Sequence, residues 1–506
     1  MTADRDVWRS STLCRPSIGI RADFRDIIME YLKYHTLLGI LLMSYYTASK
    51  LIFDKVFTTL PIVIDELYHL PQGMLYCEGN FSYWDPKITT LPGLYLISSV
   101  ISPFSCNTYN LRYVNLLASC INLMLFSSLL LYIYGKNLEN PLKIVLQAVN
   151  LTILPPLYFF SHIYYTDTLS MMFLLTYTRL CIGNSNKFLI FIFGLSCVMM
   201  RQTNIAWIFM IFLHRNLDVF IKSSRVYGNQ FLNKLKLKKN SLISQEIDRT
   251  KLKRYYNFND LYIAVKYHFN TYLSTFFKLL TFSDFIFIGT QLFILVLFIL
   301  FVIYNNGIVI GDKMAHKASV NIPQMLYFLL FYGLFGLPYV MMKLKSTVNM
   351  LFSNKIIVLL FGLVFALVVY YNTVVHSYLL ADNRHYIFYI WNRWFGKYEF
   401  AKFATIPIYI FLLFSLYDNL KDQNCISFLL PYFISTFVVL VLQKMIEVRY
   451  FLVPYIILRL RFVRSSYKIV LMEFLWYMIL NVVTFYIFFT KEVYWKDIDY
   501  AQRIIW

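Results

Sequence analysis

Charge is scarce in this 506-residue chain. Asp, Glu, Lys and Arg together make up 15% of it, against about a quarter in ordinary soluble domains. Acidic residues are the scarcer kind, 27 against 47 Lys and Arg, which leaves a net charge of +20. Such a surplus first suggests nucleic acid. The excess, however, is gathered in one loop and in short links between apolar blocks, which is the positive-inside pattern of membrane proteins, and the nucleic-acid class is set aside. Cysteine is sparse and has no C-x-x-C spacing. Several of Cys14, Cys77, Cys106, Cys120, Cys181, Cys197 and Cys425 lie in apolar runs, so they read as small packing residues rather than a disulfide framework or a zinc site. A cleavable signal peptide is missing as well. Arg5, Arg9, Arg15, Arg21 and Arg25 have no apolar core between them, so the first apolar block becomes a retained span.

What the chain has in abundance is hydrophobic surface: 59% hydrophobic and 19% aromatic residues, beyond what one water-soluble core accommodates. It falls into blocks near the length of a membrane-spanning helix, about 20 residues. Candidate spans are Tyr34–Phe53, Tyr113–Tyr134, Leu142–Phe160, Thr168–Ile182, Lys187–Met200, Asn204–Leu213, Phe285–Tyr304, Gln324–Met341, Ile356–Tyr371, Lys402–Tyr417, Ile426–Leu442, Gln443–Leu460 and Tyr467–Thr490. The expectation is an all-α integral membrane bundle of about 12–14 transmembrane helices. Leu91–Phe104 and His385–Trp394 are short for spans and read as interfacial helices. The organisation expected is a cytoplasmic segment 1–33, an N-terminal membrane module 34–214 with a first luminal loop 54–112, a basic cytoplasmic loop 215–284, and a C-terminal membrane module 285–506.

The stretch Arg215–Arg254 carries eleven Lys or Arg against Asp218, Glu246 and Asp248 and fixes the orientation, since such a segment stays cytoplasmic. Counting outward from it, nearly every unusual polar cluster falls on the far side. Asp65-Glu66 with His69 places two adjacent carboxylates at a membrane boundary, where a carboxylate is solvated, paired or functional. Adjacent helical residues point about 100° apart, so one of the two faces a reaction. Trp84-Asp85-Pro86-Lys87-Ile88-Thr89-Thr90-Leu91-Pro92-Gly93 suits a sugar ring or a bilayer interface equally. Tyr164-Tyr165-Thr166-Asp167 ends one span, and Arg201-Gln202-Thr203-Asn204 separates two others. An arginine at that depth needs either a phosphate or a structural carboxylate. In Gly307-Ile308-Val309-Ile310-Gly311-Asp312-Lys313, followed by His316, the glycines permit close backbone approach to a ligand or a plain turn. It is no P-loop, because the Gly-x4-Gly-Lys-Ser/Thr spacing is absent. Leu379–Tyr386, with Asp382, Asn383, Arg384 and His385, has the groups to bind a phosphate and sugar hydroxyls together. Glu447-Val448-Arg449-Tyr450 repeats the theme, with an ion pair as the structural alternative. His385 lacks metal-ligand spacing, and Asp497-Ile498-Asp499 sits outside any nucleotide-binding strand pattern.

These strings, in this order from about Asp65 to Trp506, resemble the dolichyl-phosphate-glucose-dependent alpha-1,2-glucosyltransferase family of the endoplasmic reticulum. The resemblance implies a GT-C-type membrane bundle with luminal interfacial helices and an active site facing the lumen. The donor implied is dolichyl phosphate glucose, and the acceptor a diglucosylated high-mannose oligosaccharide on dolichyl diphosphate. A beta-linked donor and an alpha-1,2 product imply inversion in one displacement, which asks for one base and a leaving phosphate rather than the carboxylate pair of glycosidases. By position the base maps onto Asp65, with Glu66 in reserve. Donor phosphate and sugar contacts map onto Arg384, His385, Asp382 and Asn383, with Arg201, Lys313 and Arg449, and acceptor contacts onto His69, Trp84, Asp85 and Lys87. No metal or cofactor is expected.

Rival readings are a mannosyl or other dolichyl-phosphate-sugar transferase, a transporter or channel subunit, and a membrane acyltransferase drawing on His69, His162, His316, His376 or His385. No internal repeat supports the transporter. Asn80-Phe81-Ser82 is a glycosylation sequon in the expected luminal loop, whereas Asn150-Leu151-Thr152 lies within a span.

Overall fold

Apolar runs of this length leave the backbone one way to satisfy its polar groups in a bilayer, and it is helical. A computed structural model describes residues 24–101, 106–134, 141–237, 258–313, 318–421, 424–462, 465–495 and 498–506. Residues 1–23 of the expected segment 1–33, residues 238–257 of the basic loop, His316, Cys14 and Asp497 lie outside them. Among the described residues, seven helices are long and apolar enough to cross a membrane: Met29–Thr59, Thr108–Tyr134, Gln202–Tyr227, Phe282–Asn305, Lys355–Asn372, Ala401–Leu420 and Tyr467–Thr490. Three shorter apolar helices, Lys187–Met200, Pro323–Phe335 and Ile426–Val441, stand with them. The protein is a polytopic all-α membrane protein.

The expected count of 12–14 exceeds seven because several apolar blocks are broken helices. Leu142–Phe160 is interrupted after Thr152, since Pro155 and Pro156 offer no N–H to the carbonyls behind them. At the break the Ile153 carbonyl accepts from Asn481 Nδ2 at 2.8 Å. Gln443–Leu460 is likewise no span. A turn is followed by a short 3-10 helix, Val448–Phe451, and an eight-residue helix, Leu452–Arg459. The two expected interfacial helices are the short helix Gly93–Ile101 and the run Tyr386–Ile390 continued by a π turn, Trp391–Phe395. The first part of the expected basic loop is helical. Ile205–Leu237 runs straight on from the membrane, and Phe258–Asn270 packs back on it through Arg225–Asp260 at 2.5 Å.

Inside the bundle, Arg459 and Glu473 are fully buried and paired at 2.6 Å through the guanidinium Nε and Nη2. Asn150 and Tyr339 add bonds to Glu473 at 2.8 and 3.1 Å. This cluster ties four helices together with every charge compensated, the condition on which buried ions are tolerated. One cysteine expectation is corrected: Cys77 and Cys106 form a disulfide, with Cα atoms 6.1 Å apart. The helix Glu66–Cys77 and the loop before Thr108 bring together thiols 29 residues apart, which no short spacing announces.

Candidate active site

Buried amide side chains hold backbone carbonyls where the polar strings meet. Asn115 Nδ2 donates to the Ile163 and Tyr165 carbonyls at 2.6 and 2.8 Å, fixing the turn before Asp167. Gln202 donates to the Thr89 carbonyl at 2.9 Å, and Gln324 to the Met445 carbonyl at 2.7 Å. Each bond pins one of the polar strings, and together the strings wall a cleft of about 420 Å³. It is lined by Asp65 and His69, by Lys87–Thr90, by Arg201, by Asp312, by Asp382, Arg384 and His385, and by Glu447–Tyr450.

Asp65 and Glu66 part company there. Asp65 is about two-fifths exposed and lines the cleft. Its backbone N–H donates to Tyr165 Oη at 2.9 Å, and its carboxylate faces Arg449 at 3.3 Å. Glu66 is fully buried. It accepts from Arg112 at 2.6 and 2.9 Å, from the Val63 N–H at 2.8 Å and from the Tyr164 N–H at 2.6 Å. Its reserve role as a base is therefore corrected, because every lone pair it could use is already engaged. What Glu66 does is hold the turn that presents Asp65. That turn carries strain: Ile64, a β-branched residue, has φ +38°, a conformation kept only where the surroundings impose it.

Arginines are matched to carboxylates across the cleft. Arg449 reaches Glu447 at 2.7 Å, Asp65 at 3.3 Å and Asp167 at 3.8 Å. Burial works against its charge, and Glu447, Asp167 and Asp65 outweigh that, so its pKa lies above the ordinary guanidinium value. Arg201 is bonded to Asp167. Arg384 is held by Asp382 in a two-pronged pair at 2.8 and 2.9 Å. Burial raises the Asp382 pKa, but the Arg384 hydrogen bonds and nearby His385 leave it below its usual value. Lys87, exposed at the rim, pairs with no carboxylate among the described residues. His69 Nδ1 meets Tyr95 Oη at 2.6 Å. Burial is the main cause pushing its pKa down to about 4, with Asp65 opposing, so the ring is neutral near pH 7.

Besides Glu66, four assigned residues lie outside the cleft. Lys313 turns back to the Asn305 carbonyl. Asn383 accepts from Trp495 Nε1 at 2.7 Å. Trp84 packs edge-on against Tyr95, and Asp85 caps its own turn by accepting from the Lys87 N–H at 2.8 Å. The glycine reading is also corrected. A Cβ on Gly311 would stand 2.2 Å from the Ile88 carbonyl oxygen and 2.5 Å from that of Pro86, so this glycine admits the neighbouring loop and not a ligand. Sequence reasoning assigned no role to Asp167, Glu447, Trp495 or Trp506. The first two stand in strings it had marked, but nothing in sequence tells that Trp495 and Trp506 return to the cleft. Beside the cleft runs an apolar groove of about 170 Å³, walled by Phe331, Phe335, Trp391 and Phe451 among others. It shares Ile387, Ile446, Val448 and Trp506 with the polar cleft.

A broken-helix membrane bundle with a charged cleft opening beside an apolar groove is the make-up of a polytopic membrane glycosyltransferase. The profile of the DIE2/ALG10 family matches residues 60–460. A Drosophila melanogaster protein named Dol-P-Glc:Glc(2)Man(9)GlcNAc(2)-PP-Dol alpha-1,2-glucosyltransferase is 37% identical over 458 residues, 90% of this chain and 96% of its own length. A Homo sapiens protein of the same name is 36% identical, over 88% of this chain and 93% of its own. An Arabidopsis thaliana protein so named is 31% identical, over 88% and 94%. No solved structure matches the chain. The chain belongs to the DIE2/ALG10 family.

Proposed function

We propose that this protein transfers glucose from dolichyl phosphate glucose to Glc(2)Man(9)GlcNAc(2) carried on dolichyl diphosphate, forming the terminal alpha-1,2 linkage. The setting is the endoplasmic reticulum membrane, with the cleft towards the lumen. The observation that carries the reading is the joining of the part-exposed Asp65 carboxylate, an arginine–histidine string and an apolar groove in a single site. A lipid-borne sugar phosphate has the matching three parts: an acceptor-facing sugar, an anion and a hydrocarbon tail.

Asp65 is the base. It takes the proton of the acceptor hydroxyl as that oxygen attacks the anomeric carbon. The bond from that carbon to the phosphate oxygen breaks, and dolichyl phosphate leaves as an anion that needs no strong general acid. Arg384 and His385 meet the developing phosphate charge, the effect expected to dominate. Arg201 and Arg449, already engaged by Asp167, Glu447 and Asp65, fix the base and its neighbours. His69 and the rim of Lys87–Thr90 face the acceptor. The reaction runs without a metal, since protein cations stand where the phosphate charge builds up.

The test uses purified protein in detergent with dolichyl phosphate glucose, a synthetic diglucosylated lipid-linked acceptor and EDTA. Wild type transfers glucose under these conditions, and Asp65→Asn falls by about a hundredfold or more in kcat. Transfer from a mannose donor in place of glucose would overturn the donor, and loss of activity in EDTA that added divalent cation restores would overturn metal independence.

A further inference from the structure

Beyond the last membrane helix, Tyr467–Thr490, the chain turns back on the cleft. Glu492–Val493 pairs with Gln502–Arg503 in an antiparallel ladder, and the residues on either side reach the Asp382–Tyr386 string. Trp495 Nε1 donates to Asn383 Oδ1 at 2.7 Å, and its ring lies 4.0 Å from the Arg384 guanidinium. The Ile505 N–H donates to the Arg384 carbonyl at 2.8 Å, and the Tyr386 N–H to the Ile505 carbonyl at 3.1 Å. His385 Nδ1 is 3.2 Å from the Trp506 carbonyl, and the Trp506 ring packs on Tyr386. Asn383, Arg384, His385 and Tyr386 are thus each tied to this segment, while Trp495 and Trp506 themselves line the cleft.

The two partners of Arg384 divide the work. Asp382 grips one edge of the guanidinium with two hydrogen bonds and so fixes an axis but not the rotation about it. The indole ring lies against the guanidinium, and both side chains line the cleft. An aromatic face attracts a cation without cancelling its charge, whereas a second carboxylate would leave Arg384 little attraction for a phosphate.

We propose that residues 492–495 and 498–506 act as a positioning element of the active site, in which Trp495 aims the Arg384 guanidinium at the donor phosphate. This rests on the glucosyl transfer proposed above. The test measures donor and acceptor KM and kcat in the detergent assay for Trp495→Phe, which keeps a ring face, and Trp495→Leu, which fills space without one. Both lose the bond to Asn383. Trp495→Leu should raise donor KM on the order of tenfold with acceptor KM unchanged, and Trp495→Phe should stay within about threefold of wild type. In an Arg384→Ala background the Leu change should add nothing further, since the two act through one contact. Equal effects of Phe and Leu, or a Leu penalty that persists without Arg384, would overturn the inference. If Trp495→Leu fails to fold, Trp495→Met takes its place in the comparison. Absence of transfer by wild type would instead strike the proposed function itself.

Discussion

Asp65 and Glu66 are neighbours in sequence with opposite fates, and the difference lies in what each carboxylate touches. Glu66 is sealed in with Arg112, whose guanidinium also donates to the Leu60 and Pro61 carbonyls at 3.2 and 3.0 Å. Removing one partner of such a pair strands a buried charge, which typically costs about 3–5 kcal/mol. Glu66→Gln should therefore lower the detergent melting temperature clearly, while the folded fraction retains base catalysis through Asp65. If folded Glu66→Gln is as inactive as Asp65→Asn, Glu66 serves the reaction either as the base or through the turn that presents Asp65, and its role is not confined to stability. The same pair shows what sequence reasoning could reach here. Helical geometry says that one of two adjacent carboxylates faces the reaction, but choosing between them needs the long-range contact to Arg112.

At the scale of elements, the cleft is made by interruptions. A continuous helix has no backbone to spare for a site, and each break supplies a turn that an amide from another helix must satisfy. Asn115, Gln202 and Gln324 do this from a distance, so the site is stiff although much of it is loop. Gly311 belongs to the same scheme. It lets the Ile308–Asp312 loop lie against Pro86–Ile88, where the Ile310 N–H donates to the Thr89 carbonyl at 3.3 Å. Gly311→Ala should push the Lys87–Thr90 rim outward and raise acceptor KM by about tenfold or destabilise the loop, because the obstructing atoms are backbone. Gly289→Ala, which meets nothing within 4 Å, should leave both KM values near wild type and serves as the control. The elements that sequence misjudged are those whose apolarity conceals a break. Gln443–Leu460 carries a span's composition, yet its Glu447–Arg449 turn is drawn into the cleft by Asp65 and Asp167.

At the scale of the whole molecule, the orientation proposed puts the cleft, the Cys77–Cys106 disulfide and the exposed sequon at Asn80 on one side, where an oxidising lumen suits the disulfide. A cysteine introduced at exposed Phe81 should resist a membrane-impermeant maleimide in sealed microsomes and react once they are permeabilised, relative to the parent chain. Immediate labelling would place the cleft on the cytosolic side. The sequence by itself determined the polytopic helical class, because a bilayer offers apolar runs of this length no other secondary structure. It determined the family too, through strings whose order survives without knowledge of their contacts. It also marked most of the cleft's walls, since polar clusters at the ends of apolar blocks are costly unless used. Only the tertiary structure decided which carboxylate lines the cleft, which arginines are already paired, where two cysteines meet and that Trp495 and Ile505 close on Arg384. Each of these depends on side chains that are distant in sequence and come into contact only when the helices pack.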